Sequence, residues 1–245
     1  MGRTMSSGHV PFPMPERKHS LSQEWRYLSF LHWEVNPEKL EPYMPPGVEI
    51  DLYEGKAYVG TIPFLMKNVR PRLFPALPGI SNFPEFNVRT YVKMNGKAGI
   101  VFLTLDAHSR VTCSYAPRAY GLPYVYAKCK MDISEDNYEW SSKRVSDGVQ
   151  LRGSCKAIGE EIQAKPGSLE EFLFERYSLY VEHKGRTKMA YTLHDPWTFK
   201  TAEATVEINT LTESFKLGIE NPLKPDLVHM SSGVHVHTWS IEKTE

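Results

Sequence analysis

A pair of strand-like segments joined by Asn95-Gly96 constrains the fold most strongly. Asn-Gly readily adopts the two positive φ angles of a two-residue hairpin turn, so residues 86–94 and 98–108 are predicted to be paired antiparallel strands. Other segments share the alternation and the β-branched and aromatic content of strands. They lie near residues 25–33, 48–53, 57–66, 111–115, 124–132, 137–145, 149–157, 178–184, 187–193, 201–208 and 234–240. So many short strands predict one mainly β domain, because β-barrels and sandwiches reach this length undivided.

Two segments carry helix signals. Asn36 is a suitable N-cap and Pro37 suits the first helical position, so a short helix is expected there, ending at Pro45-Pro46-Gly47. Ser168 and Glu171 form a capping box, and the apolar residues after them repeat at helical spacing to about residue 177. The chain is therefore expected to contain two or three short helices.

The ends of the chain and one internal stretch lack this periodicity. Residues 1–20 are rich in Gly, Ser and Pro and are expected to form a flexible arm, with residues 21–245 forming a single domain. Met1-Gly2 also begins an acylation motif, although one acyl chain with few basic neighbours would anchor poorly. Residues 70–84 contain four prolines and are expected to form an ordered loop that crosses the surface or a cavity mouth.

Composition excludes several functional classes. Lys+Arg and Asp+Glu both number 29, so the basic excess typical of nucleic-acid binding is absent. No apolar run approaches the ~18–20 residues of a membrane-spanning helix, and no secretory signal is recognisable. Three cysteines, far apart and without CxxC spacing, favour reduced thiols and a cytoplasmic location.

Common cofactor and metal motifs are also missing. The sequence contains no P-loop, GxGxxG, HExxH or GxSxG pattern. His235 and His237 would share one face of a strand, with His229 nearby, but a zinc site needs three or four converging ligands. We therefore expect neither a metal nor a cofactor.

Two polar groups of residues are candidates for a site. Glu85, Asn87 and Arg89 alternate onto one strand face, which either faces solvent or lines a polar cavity; from the residues alone the solvated face is favoured. His194 and Asp195 are adjacent and would point to opposite faces, so His194 is expected to cap backbone groups at a strand end and is also a candidate cavity residue.

Several short motifs follow one another in order from about residue 22 to 241. They are His32-Trp33-Glu34-Val35, Pro45 to Asp51, Gly60 to Phe64, the SNFPEFNVRTYV segment from Ser81, Leu103 to Ala107, Tyr120 to Tyr124, Phe174 to Tyr180 and His194-Asp195-Pro196-Trp197. Taken together, these motifs resemble the YqjF-like family of uncharacterised proteins. This resemblance implies an acetoacetate-decarboxylase-like fold, a mainly antiparallel, barrel-like sheet around a central cavity.

The chain is more distantly similar to acetoacetate decarboxylase itself. Pro45 to Asp51 matches the enzyme's Pro-Glu-Pro-Leu-Glu-Ile-Asp, and counting back without gaps puts Arg26 on its active-site arginine. Glu85 falls on the active-site glutamate. The resemblance thus implies that Glu85 and Arg26 lie together in the cavity, as an acid/base and an anion anchor or as a structural ion pair.

The similarity fails at the catalytic lysine. Where the enzyme has two lysines after Pro123, this chain has Tyr124 and Val125. A Schiff base requires an amine and a neighbouring cation that lowers its pKa, as the decarboxylase itself exemplifies. Lys128 shares a strand face with Tyr124 but lies about 13 Å along the strand, so a rim position is favoured over a relocated Schiff-base role.

Three functions are open for this chain. The chain could be an enzyme of lyase- or hydrolase-like type on a small carbonyl or carboxylate compound, a non-catalytic small-molecule binding protein, or a structural protein with a filled cavity. Decarboxylases of this fold assemble into oligomers, so a homo-oligomer is a candidate assembly. The Glu175-Arg176-Tyr177 run is expected to pack against the sheet as structure. The remaining ligand-binding candidates are Tyr124, Asn87, Arg89, His194, Trp197 and Phe83.

Overall fold

The structure is a computed structural model that describes residues 5–244. The Met1-Gly2 start of the acylation motif lies outside these residues. Within them the chain forms the strands β1 Leu21–Val35, β2 Glu49–Ile50, β3 Ala57–Pro71, β4 Phe83–Met94, β5 Lys97–Ala107, β6 Tyr124–Ile133, β7 Asn137–Arg144, β8 Gln150–Ala157, β9 Ile162–Gln163, β10 Ser178–His183, β11 Arg186–His194, β12 Thr198–Asn209, β13 Leu227–Thr238 and β14 Glu242–Lys243. The helices are α1 Arg110–Tyr120, α2 Leu169–Phe174 and α3 Thr210–Glu213, with 3-10 turns at Pro37–Lys39 and Glu41–Tyr43.

The strand pairings close a ring. Going round it, β5 pairs with β4, then β3, β1, β13, β11 and β10, and β10 returns to β5. The closing β10–β5 pair is parallel and short, whereas the other pairs of the ring are antiparallel. The expected mainly β architecture with a few short helices is confirmed.

A second layer of strands covers one side of this ring. The sheet continues from β5 through β6, β7 and β8 to β12, which rejoins β13. Trp33 of β1 and Val88 of β4 pack between the ring and this layer against Trp140, whereas Phe30 and Phe83 belong to a second cluster. Both faces of the central strands are therefore buried, because neighbouring residues of a strand point to opposite sides.

The predicted hairpin is confirmed. Asn95 and Gly96 have φ angles of 51° and 73° and connect β4 to β5, with Met94 opposite Lys97. These are the positive φ angles that an Asn-Gly turn accommodates.

The strand predicted at residues 111–115 is wrong, since these residues lie in α1. The Ser109 side chain accepts a hydrogen bond from the Thr112 backbone N–H at the start of the helix, and Gly121 ends it in the left-handed conformation. The short, β-branched segment had suggested a strand, but both ends carry helix caps.

Smaller differences concern element ends. The helix expected after Asn36 consists of two 3-10 turns, and Asn36 does accept a hydrogen bond from the Glu38 N–H. The second helix ends at Phe174 rather than near residue 177. The proline-rich loop is shorter than expected, because β3 runs on to Pro71 and β4 begins at Phe83.

Residues 5–20 follow the surface without a helix or strand. Val10, Phe12 and Met14 pack beside Tyr180 and Tyr191. The division into an arm and one domain stays a prediction. No helix within residues 5–244 is long and apolar enough to cross a membrane.

Candidate functional site

A cavity of about 690 Å³ lies on the inner face of the ring. Its walls come from β1, β3, β4, β5, β6, β10 and β11, and its mouth is bordered by the loop of residues 72–82 and by α1. The proline-rich loop thus crosses the mouth of the cavity, one of the two places expected for it. Of the predicted site residues, those that line the cavity are Phe83, Glu85, Arg89, Tyr124, His194 and Trp197.

Glu85 is the buried acid of this cavity, with 2% of its surface exposed. Tyr124 donates a hydrogen bond from its hydroxyl to Glu85 Oε2 at 2.7 Å, and the Asn87 side chain is also hydrogen bonded to Glu85. Burial raises the pKa of Glu85 to about 7, although both hydrogen bonds favour the carboxylate and oppose the rise. Glu85 can therefore gain or lose a proton near neutral pH.

Tyr124 remains a hydrogen-bond donor over the same range. Burial, followed by the nearby Glu85 carboxylate, raises the pKa of Tyr124 well above its usual value. The neutral Tyr124 phenol donates to Glu85 and so stabilises the charged form of the Glu85 carboxyl. Tyr124 occupies the position at which the resemblance places the decarboxylase lysine.

Strand alternation explains how Glu85 enters the cavity. In β4, Phe86 and Val88 pack between the ring and the second layer, so Phe83 and Glu85 point to the interior of the ring. The solvated face favoured from the residues alone is therefore wrong, because β4 is covered on both sides. Asn87 is buried but is not a lining residue, and it contacts the cavity through Glu85.

Arg89 is a buried cation of the cavity without a carboxylate partner in the described chain. It is 8% exposed and lies over the rings of Phe30 and Tyr91, and its Nη2 donates to the Leu173 carbonyl at 3.3 Å. Among residues 5–244 no carboxylate lies within 4.0 Å of it, and its Nε has no hydrogen-bond partner. A buried charge without a partner is costly, so this guanidinium favours an anion beside it.

Arg176 is a second lining cation, but it is already neutralised. Its Nη1 donates to Asp51 Oδ2 at 2.7 Å, and its guanidinium lies over the Phe172 ring at 4.1 Å. Burial lowers the pKa of Arg176, and the Asp51 carboxylate opposes that shift. Arg176 was expected to pack against the sheet as structure, and its position in the cavity wall was not predicted.

Arg26 does not lie in the cavity, so the predicted pairing with Glu85 is wrong. Its guanidinium donates to Glu24 Oε2 at 2.9 and 2.8 Å and lies 3.0 Å from His235. The neighbouring Trp25 lines the cavity instead. The physical reason is a β-bulge near Tyr27, whose φ is 58°, which shifts the register of β1 against β3 by one residue and leaves its register against β13 unchanged.

His194 has the backbone-capping role expected of it. It is buried at the end of β11, and its ring nitrogens lie 2.9 Å from the Asp195 carbonyl oxygen and 3.3 Å from that of Arg176. Burial lowers the pKa of His194, which favours the neutral ring. Trp197 stacks near Trp25, with ring centroids 6.3 Å apart, and together these rings form an apolar wall.

No lysine lines the cavity in the described part of the chain. Lys128 is exposed on β6, and Val125 occupies the second lysine position of the decarboxylase match. Residues 5–244 also contain no group of three or more His, Cys, Asp or Glu side chains placed to hold a metal. His237 stacks on His19 at 3.8 Å, while His229 packs against Phe174.

Comparison with known proteins places the fold. The sequence matches the model of DUF2071, described as an uncharacterized conserved protein, over residues 22–235. It is 34% identical over 231 residues to the uncharacterized protein YqjF of Bacillus subtilis (strain 168), covering 94% of this chain and 95% of that protein.

Two solved structures share the fold at low identity. Acetoacetate decarboxylase from Legionella pneumophila superposes with a TM-score of 0.66 and 14% identity, over 100% of this chain and 98% of that one. The enduracididine biosynthesis enzyme MppR complexed with pyruvate superposes with a TM-score of 0.55 and 13% identity, over 92% of this chain and 88% of that one. The expected acetoacetate-decarboxylase-like fold is confirmed.

Proposed function

This chain belongs to the DUF2071 family of uncharacterized conserved proteins, and on that premise we propose that its cavity binds and transforms a small carbonyl or carboxylate compound without forming an imine. Arg89 binds the acid group, Glu85 transfers protons and Tyr124 donates a hydrogen bond. The cavity volume of about 690 Å³ supports this proposal, because ligand pockets commonly measure about 300–1,000 Å³.

The unpaired guanidinium of Arg89 is the observation that carries the proposal. Arginine matches a carboxylate with two parallel N–H groups, and such charge-assisted hydrogen bonds strengthen where water is excluded. Within the described chain Arg89 has no carboxylate partner and its buried Nε makes no hydrogen bond, whereas Arg176 already binds Asp51. A ligand carboxylate would supply the missing counter-charge.

Glu85 supports chemistry beyond binding. General acid–base catalysis works best when the pKa of the catalytic group lies near the working pH, and burial raises the pKa of Glu85 to about 7. In a lyase-like step the Glu85 carboxylate takes a proton from the carbon beside a carbonyl. That C–H bond breaks, its electron pair forms an enolate, and the proton stays on Glu85 until a proton or, in D₂O, a deuteron returns to the carbon. Once Glu85 is neutral, the Tyr124 hydroxyl can donate to the enolate oxygen.

Two solved structures with this fold are linked to oxo acids by their descriptions. One is an acetoacetate decarboxylase, and the other was solved with pyruvate. Carbonyl acids are therefore the first probes to try. Imine chemistry is not part of the proposal, since no lysine lines the cavity within residues 5–244.

The alternatives differ in what Glu85 and the cavity do. A non-catalytic binding protein would use Arg89 in the same way but would not need proton transfer at Glu85. A structural protein would have its cavity filled by its own side chains, which the volume of about 690 Å³ opposes. A cytoplasmic location and a homo-oligomeric assembly stay part of the proposal.

Binding of pyruvate and acetoacetate, followed by NMR titration, tests the anion site. We expect Arg89→Met to weaken binding by roughly 10–100-fold, the effect of losing a hydrogen-bonded charge pair. The matched control is Arg186→Met, which removes an exposed arginine outside the cavity. Equal affinity in wild type and Arg89→Met, or no binding of either acid, would contradict the proposal.

Hydrogen exchange separates catalysis from binding alone. In D₂O, wild type should speed deuterium exchange at the carbon beside the carbonyl of a bound oxo acid, and Glu85→Gln should abolish this while still binding the acid. Equal exchange rates in both proteins would leave the binding-protein alternative as the better account.

A further inference from the structure

The mouth of the cavity exposes large apolar side chains. Phe74, Leu77 and Ile80 of the 72–82 loop are 66%, 53% and 41% exposed, and Val111 and Tyr115 of α1 are 55% and 60% exposed. All five also line the cavity, so the apolar surface continues from the exterior to the interior. Exposed apolar surface of this kind marks a place where something apolar binds.

The two buried arginines lie away from the mouth. Arg89 is 8% exposed and stands six residues along β4 from Phe83, where the 72–82 loop ends, and the buried Arg176 is close to it. The walls between them and the mouth include Trp25, Phe83 and Phe102. The cavity therefore combines a charged interior with an apolar route to the surface.

The size of the cavity exceeds what a small oxo acid fills. At about 30 Å³ for each water-sized group, a four-carbon oxo acid occupies roughly 200 Å³. The cavity measures about 690 Å³. Most of its apolar wall would stay uncovered with such a ligand.

We propose that the ligand is an amphipathic carboxylate, whose acid group binds Arg89 while its apolar chain or ring extends to the mouth formed by the 72–82 loop and α1. This inference rests on the proposed function, because it takes Arg89 as the anion site. It adds the class of ligand, an acid with a substantial apolar tail.

A chain-length series of straight-chain carboxylates, from butanoate to dodecanoate, provides the test by titration calorimetry. Each buried methylene should tighten binding by roughly three- to fourfold until the tail reaches the mouth. Primary alcohols of the same length should bind more weakly, and Arg89→Met should reduce that difference.

Two variants in the same loop test the path of the tail. Leu77→Asp should weaken decanoate binding at least tenfold and leave butanoate binding unchanged. Leu73→Asp is the matched control, because Leu73 is 86% exposed and does not line the cavity. Both positions are at the surface, and thermal unfolding checks that both variants fold.

The outcomes distinguish this inference from the proposed function. Equal affinity for butanoate and decanoate, both sensitive to Arg89→Met, would overturn the apolar-tail inference and leave the function standing. If no carboxylate of any length binds, the proposed function fails with it. Arg70 also lines the cavity. If Arg70→Met weakens carboxylate binding and Arg89→Met does not, the acid group binds Arg70 instead of Arg89. That result would overturn the inference.

Discussion

At the scale of single residues, two groups inside the ring have charges that the protein itself does not neutralise. Glu85 receives hydrogen bonds from Tyr124 and Asn87 and has no cation beside it in the described part of the chain, so burial dominates and raises its pKa to about 7. Arg89 has no carboxylate within 4.0 Å among residues 5–244. Both residues cost stability in the free protein, which is common where a site is arranged for a ligand.

The raised pKa of Glu85 predicts how stability depends on pH. The pKa of Glu85 is 4.5 in the unfolded chain and about 7 in the folded protein. The proton on Glu85 therefore stabilises the fold fully below pH 4.5, and this contribution is lost as the pH rises through 7. Glutamine does not titrate, so Glu85→Gln lacks this loss. The free energy of unfolding of Glu85→Gln minus that of wild type should rise by roughly 2–3 kcal/mol between pH 4.5 and 8. Urea unfolding at several pH values measures the difference.

An exposed glutamate provides the control. Glu203→Gln changes a surface carboxyl on β12 and should show no comparable trend with pH. A stability difference between wild type and Glu85→Gln that stays constant from pH 4.5 to 8 would show that Glu85 titrates as an ordinary surface carboxyl.

At the scale of elements, α1 shows what local patterns can miss. Residues 111–115 contain β-branched and aromatic residues, yet Ser109 and Gly121 enclose a helix. The sequence contained this signal, because a Ser N-cap and a Gly C-cap bracket the segment. By contrast, the bulge at Tyr27 that turns Arg26 away from the cavity has no glycine to announce it.

Gly121 is predicted to be sensitive to any side chain. Its φ is 69°, and a Cβ there would lie 2.8 Å from the Glu182 carbonyl oxygen. Gly121→Ala should therefore lower the free energy of unfolding by about 1 kcal/mol for the backbone and a further ~1–3 kcal/mol for the clash. Urea unfolding measures the total.

Gly148→Ala isolates the backbone cost. Gly148 has a similar φ of 76°, but a Cβ there would meet nothing within 4 Å. We expect Gly148→Ala to cost about 1 kcal/mol. The same loss in both variants would mean that the α1 terminus is not packed against β10 as described.

At the scale of the whole molecule, the hairpins could be predicted because they are local, whereas the ring could not. Asn95-Gly96 specifies its own turn, but ring closure depends on β10 meeting β5 and β13 meeting β11, pairs that are distant in sequence. Only the resemblance to known proteins supplied that architecture. The resemblance also predicted that Glu85 lies in the cavity, whereas strand alternation alone favoured a solvated face.

The same resemblance misplaced the cation. Counting back without gaps selected Arg26, but at the bulge between β1 and β3 the inner face of β1 passes from Phe30 and Leu28 to Trp25. The strand pattern grouped Arg89 with Glu85 and Asn87 along β4, but from the residues alone it favoured a solvated face for all three. Burial of Arg89 in the cavity wall follows from the covering of β4 on both sides.

The central claim is that the ring encloses an anion site at Arg89, and a crystal structure with decanoate tests it most directly. We predict carboxylate density about 3 Å from the Arg89 guanidinium. The tail should extend between Leu77 and Tyr115. An empty cavity at a decanoate concentration that saturates binding in solution, or a carboxylate bound elsewhere with Arg89 unoccupied, would contradict the account.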